Sequence, residues 1–513
     1  MSQQLSETAA PPALGRNAAA VLALTSAVVF MVFLDATIVN VSFETISRDL
    51  RADASRLAWV LNAYSLTFAA MLIPAGRLAD RYGRRRVFLL GVAGFTVFSG
   101  LCGFAPDPAV LIAGRALQGL FAALVVPTAL ALLLPEVPPT RRPVAVATQA
   151  AMGAAAAAVG PTTGALLIEY GSWRWVFLIN VPIGVLVSLA ARWLLRESRD
   201  PGARGLPDPA AALLLAAIPA LLSFSVIEGP SWGWDNPWVV AGFGLAALLL
   251  PVLGWRSATA RYPALDLRLW RIPQFRMVNA ASLLFAIAFY GMLLANIVFL
   301  QAVWHYSVLR AALASVPGPL VVAVLARFAG RLAGRVGFRP VLLAGAACWA
   351  LASAAFALVI GPSAQWTTHW LPPALLTGMA IGLTLPVQSG AAVASLPPAR
   401  FGLGSAINAS FRQLGAVLGV SLFVALAGDT GTATAADYHR VWWILGAMGL
   451  ASGLVLLLPG LPGARPDNRH RARPSTRSFT PSSPAARNPT ATRQAGRIAA
   501  SAGNTSTPVP ARR

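Results

Sequence analysis

Three charged side chains stand well inside long apolar runs of this 513-residue sequence, away from the run ends: Asp35, Arg115 and Arg412. A charge near the centre of a bilayer costs roughly 2.5–3.5 kcal/mol on insertion scales, so each needs a partner or a water-filled cleft. Asp35 lies in Phe33-Leu34-Asp35-Ala36-Thr37-Ile38-Val39-Asn40-Val41, and Arg115 in Gly114-Arg115-Ala116-Leu117-Gln118-Gly119. Both sit in the outer half of their runs, roughly 8 and 9 Å from the midpoints. A direct or water-bridged pair is therefore feasible. A carboxylate leaving water resists ionisation and a neighbouring guanidinium favours it. A group balanced in this way can pick up and release a proton. The alternative is a permanent structural salt bridge. Arg412, in Ser410-Phe411-Arg412-Gln413, is expected either to contact a substrate or to hold its own bundle together.

The elements that must position these groups are membrane helices. The chain is 57% hydrophobic and 11% charged, with a mean hydropathy of +0.65; a soluble protein carries about 25% charged residues. Fourteen runs approach the ~20 residues of a bilayer crossing: 18–41, 57–75, 87–105, 109–133, 144–168, 175–195, 210–228, 238–255, 277–303, 311–328, 341–360, 371–396, 405–427 and 441–459. Pro127 and Pro386 fall inside the fourth and twelfth, where a helical bundle absorbs a kink. The fold class expected is all-α: a polytopic membrane protein of 14 transmembrane helices. Segments 1–17 and 461–513 read as disordered cytoplasmic ends, the latter rich in Pro, Ser, Thr and Arg.

All 40 basic residues are arginine, and the net charge is +22. With the N-terminus inside, the inner loops and N-terminus hold 22 arginines, the tail ten and the outer loops six. This bias places both termini in the cytoplasm. Scattered through short loops, it argues against nucleic-acid binding and for anionic lipid headgroups at the inner surface. Cys102 and Cys348 lie in apolar runs and form no disulfide framework. His305, His369, His439 and His470 form no HExxH pattern, and no nucleophile–base pair or metal site is evident. An enzyme is not expected.

The most heavily charged inner turn, Gly76-Arg77-Leu78-Ala79-Asp80-Arg81-Tyr82-Gly83-Arg84-Arg85-Arg86, recurs as Gly330-Arg331-Leu332-Ala333-Gly334-Arg335-Val336-Gly337. Six of eight positions match across 254 residues. Such repetition points to two six-helix halves, 18–200 and 277–460, with an inserted two-helix linker at 201–276. The inserted pair is expected to face lipid or act as scaffold. The small-residue run 153–164 contains Gly160-Pro161 and Gly164, which permit close helix contact and a bend.

In these motifs the chain resembles the major facilitator superfamily, and within it the fourteen-span drug:proton antiporter branch, over residues 18–460. The Gly76–Arg86 turn matches the loop between spans 2 and 3. Arg115, Gln118 and Gly119 match the span-4 motif. Gly160, Pro161 and Gly164 match the span-5 antiporter motif, and Leu34-Asp35 with Thr37 to Val41 matches the span-1 signature. The resemblance implies proton handling by Asp35 and Arg115. It also implies a gating role for Gly76, Asp80, Arg81, Gly83 and Arg84, with Asp80 accepting from a helix N-terminus or pairing across the halves. Three departures stand out: Gly334 replaces the second acid, Ala156 and Ala165 replace glycines, and Phe43-Glu44 stands where Leu-Pro is common.

The function this implies is proton-coupled efflux of hydrophobic or amphipathic small molecules across a bacterial cytoplasmic membrane. The proton gradient supplies the energy, with no cofactor and no metal. A periplasmic adaptor is left open. Polar residues within the spans, Asn40, Asn62, Tyr64, Gln118, Tyr290, Asn296, Gln388 and Arg412, are the candidate substrate contacts. Spans 9–14 contain no acid in their apolar cores, which favours neutral, weakly basic or anionic substrates over dications. A proton symporter importing a metabolite and a non-transporting membrane sensor are the alternatives.

Overall fold

The computed structural model describes residues 15–138, 141–199, 208–260, 267–396, 401–428 and 433–458. The segments expected to be disordered, 1–17 and 461–513, fall outside these apart from 15–17. Among the described residues the chain is helical and contains no strand. Among the described residues twelve segments are long and apolar enough to cross a bilayer. Two further helices, α6 (Arg142–Glu169) and α17 (Ala435–Val455), occupy the remaining expected positions. The opening of α17 contains Asp437, His439 and Arg440, followed by Trp442 and Trp443, which lower its hydropathy. Of the fourteen expected crossings, twelve thus correspond to such segments and two to α6 and α17.

The first crossing is longer than 18–41. Helix α1 (Arg16–Ile38) tightens into a 3-10 turn at Val39–Ser42 and continues as α2 (Phe43–Leu50). Asn40 Nδ2 donates to the Thr37 carbonyl at 3.0 Å and Ser42 Oγ to the Val39 carbonyl at 2.7 Å, so local side chains stabilise the tighter turn. With Phe43-Glu44 in place of a proline, nothing stops the helix there. Helix α2 buries Phe43 and Ile46 and exposes Arg48, which pairs with Glu44 one turn back. It ends at Arg51, in left-handed conformation with φ 48°.

The charged stretch at residue 76 is mostly helix rather than loop. Helix α3 (Ala54–Tyr82) carries Gly76 to Tyr82 in its last two turns, and α4 (Arg84–Gly103) starts after a one-residue break. That residue is Gly83, at φ +114°, a conformation that side chains disfavour. The second copy behaves alike: α13 (Pro317–Val336) ends at Gly337, φ +92°, and α14 (Phe338–Val359) begins at once. In both, the glycine N–H closes the last turn, onto the Ala79 or Ala333 carbonyl.

The repeat extends to helix packing. Helix α5 (Pro108–Glu136) lies against α4 through Gly91, where a Cβ would meet Val125, Leu124 and the Phe121 carbonyl. Helix α15 (Leu371–Ala394) lies against α14 through Gly345, where a Cβ would meet Thr384, Leu383 and the Ala380 carbonyl. Gly119 abuts the Tyr64 carbonyl of α3, and Gly378 abuts the Gly318 carbonyl of α13. The same helix–helix seats are used in both sets, built on different side chains.

Helix α8 (Asn180–Leu194) follows the short α7 (Trp175–Leu178). Of the pair expected as an insertion, α9 (Pro209–Trp232) packs against both α3 and α16 (Phe401–Ala427). Ser55 on α3 hydrogen-bonds Glu228 on α9. Helix α10 (Pro237–Thr259) presents a largely exposed apolar surface and is tied to the start of α9 by Arg256–Asp208 at 2.7 Å. The linker is therefore anchored on α3 and α16. Helices α11 (Pro273–Ala302) and α12 (Val308–Ser315) complete the bundle. At the end remote from Gly83, Val41 after α1 and Ala165 of α6 cluster with Ile297 of α11 and Ala312 of α12, an apolar contact between the two sets of helices.

Candidate functional site

Asp35 and Arg115 meet directly. Arg115 Nη1 donates to Asp35 Oδ2 at 2.6 Å, with side-chain exposures of 1% and 0%. The other carboxylate oxygen accepts from Gln118 Nε2 at 2.9 Å and Asn180 Nδ2 at 2.8 Å. Arg115 Nη1 also donates to Gln118 Oε1 at 2.7 Å, and its Nε reaches the Val60 carbonyl at 3.4 Å. The guanidinium carbon stands 4.2 Å from the centre of the Tyr64 ring, within cation–π range. Tyr64 donates its hydroxyl to the Val32 carbonyl of α1 at 3.2 Å. One carboxylate is thus held by groups from α5 and α8, under a guanidinium braced by α3.

Local sequence explains the convergence. Arg115 and Gln118 are three apart and share a helix face. Gly119 lets α5 approach the backbone of α3, which brings Tyr64 beneath Arg115. Replacing Gly119 with Ala forces the new methyl into the Tyr64 carbonyl and should cost ~1–3 kcal/mol, the usual penalty of overpacking. Thermal unfolding in detergent checks this; an unchanged midpoint contradicts the contact.

The short α7 breaks at Ile179, and Asn180 opens α8 at that break. Asn180 also donates to Ser99 Oγ at 3.1 Å, and Ser99 donates to the Phe177 carbonyl at 2.8 Å. Neither Asn180 nor Ser99 was among the candidates read from sequence. The only available signal was an amide in an apolar run.

The span-5 residues sit against α1 beside this cluster. Gly160 faces Thr37, and a Cβ at Gly164 would lie 2.6 Å from Val41 Cγ2. Pro161 lies inside α6. Helix α6 therefore rides on the turns of α1 that follow Asp35.

The arginine-rich turn is organised differently from the expectation. Asp80 does not reach a helix N-terminus; it pairs with Arg84 one turn on, at 2.9 Å. The N-terminus of α4 is instead taken by Glu197, which accepts from the backbone N–H of Arg85 at 3.1 Å and of Arg86 at 3.3 Å. A carboxylate there matches the positive end of the helix dipole. Geometry favours Glu197 because the segment after α8 returns over Gly83, whose hydrogen faces the carboxylate. Arg81 lies over its neighbour Tyr82, and Gly76 lies near Pro127. Glu197→Gln should lower stability by ~1 kcal/mol, read as a lower unfolding midpoint; no change would show that the cap contributes little.

The remaining polar candidates disperse. Asn62 donates to Ser421 Oγ of α16 at 2.9 Å, and Ser410 of α16 donates to the Ala69 carbonyl of α3 at 3.2 Å. Both bonds tie α3 to α16. Asn40 is spent on its own backbone. Asn296 accepts from Trp442 at 2.9 Å in an aromatic cluster with Phe299 and Phe356. Gln388 lies 3.5 Å from Ser452 and is fully buried between α15 and α17. Tyr290 and Arg412 are half-buried and within electrostatic range of each other.

The profile of the Major Facilitator Superfamily matches residues 25–269 and 278–504. The multidrug resistance protein Stp of Mycobacterium tuberculosis is 34% identical over 396 residues, covering 77% of this chain and 73% of that protein. The puromycin resistance protein pur8 of Streptomyces alboniger is 34% identical over 475 residues, covering 88% and 93%. The tetracenomycin C resistance and export protein of Streptomyces glaucescens is 31% identical, covering 77% and 73%. Among solved structures, a bacterial homologue of the human lysosomal transporter Spinster, inward-facing and occupied, superposes with a TM-score of 0.63 at 16% identity, covering 85% of this chain and 95% of that one. With this helical fold, these paired helix seats and this match along its length, the chain belongs to the major facilitator superfamily.

Proposed function

We propose that this chain exports hydrophobic or amphipathic small molecules across a bacterial cytoplasmic membrane in exchange for protons. It has fourteen crossings, both termini in the cytoplasm, and two six-helix halves rocking about a central site, with α9 and α10 inserted between them. The observation that carries the reading is the capture of Asp35 in a fully buried cluster by Arg115, Gln118 and Asn180. An ion pair sealed in this way is stable only while its partners stay in register. Movement of α5 or α8 relative to α1 would weaken the hold of Arg115 and leave Asp35 free to take a proton. The return movement would expel it. The resistance proteins among the relatives support drugs and antibiotics as the cargo class.

The test is uptake into inverted vesicles under an imposed pH gradient, with compounds chosen by susceptibility profiling of a deletion strain. Export predicts accumulation inside these vesicles when their lumen is acid. Accumulation only under the opposite gradient would indicate an importer. Absence of cargo-dependent proton flux in liposomes would indicate a sensor.

A further inference from the structure

Arg115 and Arg412 are guanidiniums well inside the apolar spans, and their surroundings differ. Arg115 is matched by Asp35 and sealed. Arg412, on α16, is half-buried and donates to Ser389 Oγ of α15. Helices α11 to α16 contain no Asp or Glu, and among the described residues no carboxylate forms an ion pair with Arg412. A guanidinium stays charged, presents five N–H donors and fits planar oxyanions in a fork. Within the membrane, a cation left without a counter-ion is costly.

The surroundings show what would offset that cost. Ser389 Oγ accepts from the guanidinium, and Tyr290 on α11 lies within electrostatic range of it. Phe289 packs edge-on to Tyr290 with ring centres 4.8 Å apart, and Phe411 adjoins Arg412 in sequence. Tyr290 is in turn within electrostatic range of Tyr64, the residue beneath Arg115.

We infer that Arg412, with Ser389 and Tyr290, receives the acidic group, a carboxylate or phenolate, of an amphipathic aromatic cargo. This rests on the exporter reading above and narrows it. Proton and cargo then use different charged residues, Asp35 and Arg412, and need not displace one another from a single carboxylate. One proton moving in and one monoanion moving out together carry two elementary charges, so a membrane potential negative inside drives the cycle along with the pH gradient.

The test uses the full chain in nanodiscs of zwitterionic lipid, titrated with 1-pyrenebutyric acid and its neutral amide. Wild type should bind the acid about tenfold more tightly, the size of one charge-assisted contact. Arg412→Gln should bring the acid down to the amide's affinity and leave the amide unchanged, and Arg412→Lys should restore part of the difference. Unchanged amide binding also shows that the variant is folded. Equal binding of acid and amide by wild type, or equal loss of both in Arg412→Gln, overturns the assignment. Persistence of the preference after phosphatidylglycerol is added supports a cargo site. Its disappearance assigns Arg412 to lipid headgroups and overturns the cargo claim. In proteoliposomes, failure of both probes to respond to a pH gradient while the binding preference persists would remove the exporter reading and leave the anion site standing. Equal pH-driven movement of both probes would do the reverse.

Discussion

Vesicles containing Asp35→Asn are expected to show no more pH-gradient-driven accumulation than vesicles without the protein. The substituted amide keeps the shape of the side chain and can still meet Gln118 and Asn180, so the helices should stay packed. What it loses is the capacity to bind and release a proton and the charge that attracts Arg115. Cargo binding should survive, because none of the contacts proposed for cargo involves Asp35. Loss of gradient-driven transport with retained binding is the signature of a coupling residue. Loss of both would mark Asp35 as structural. Normal transport would remove it from the mechanism.

Arg115→Ala is expected to have the largest effect on stability. It leaves a fully buried carboxylate without its cation, a defect that costs about 3–5 kcal/mol when one member of a buried pair is removed. It also removes the guanidinium that fills the space over Tyr64. The double variant Arg115→Ala with Asp35→Asn should recover much of the loss, since no unpaired charge remains. A double-mutant cycle on unfolding free energies reads this coupling directly. Additive effects would show that the two side chains do not depend on each other.

The Asp35–Arg115 pair was legible in the sequence for a physical reason. Charges inside apolar runs are rare because they are costly, and two of opposite sign at similar depth in one half have few other partners. Gln118 was marked by the span-4 motif and as a substrate contact, and only the folded chain shows that it holds Asp35. The close approach at Gly160 and Gly164 followed from side-chain size, and the Gly83–Gly337 repeat from identity of the turns. Asn180 and Ser99 were not legible, because neutral polar groups are cheap enough in membrane helices to be common. Nor does a sequence say which way they point. The same lack of azimuth misplaced Asn296 and Gln388, which face their own bundle. Glu197 was hidden for another reason. Its partner is a helix terminus more than a hundred residues earlier, and only the folded chain brings them together. Asp80, the more conspicuous acid, is spent on Arg84.

The central claim is that Asp35 exchanges a proton when cargo binds. It is tested most directly by adding cargo to purified protein in weakly buffered detergent solution and following pH. The account predicts a proton released by wild type and none by Asp35→Asn, with cargo bound in both. Equal release from the two proteins would contradict it.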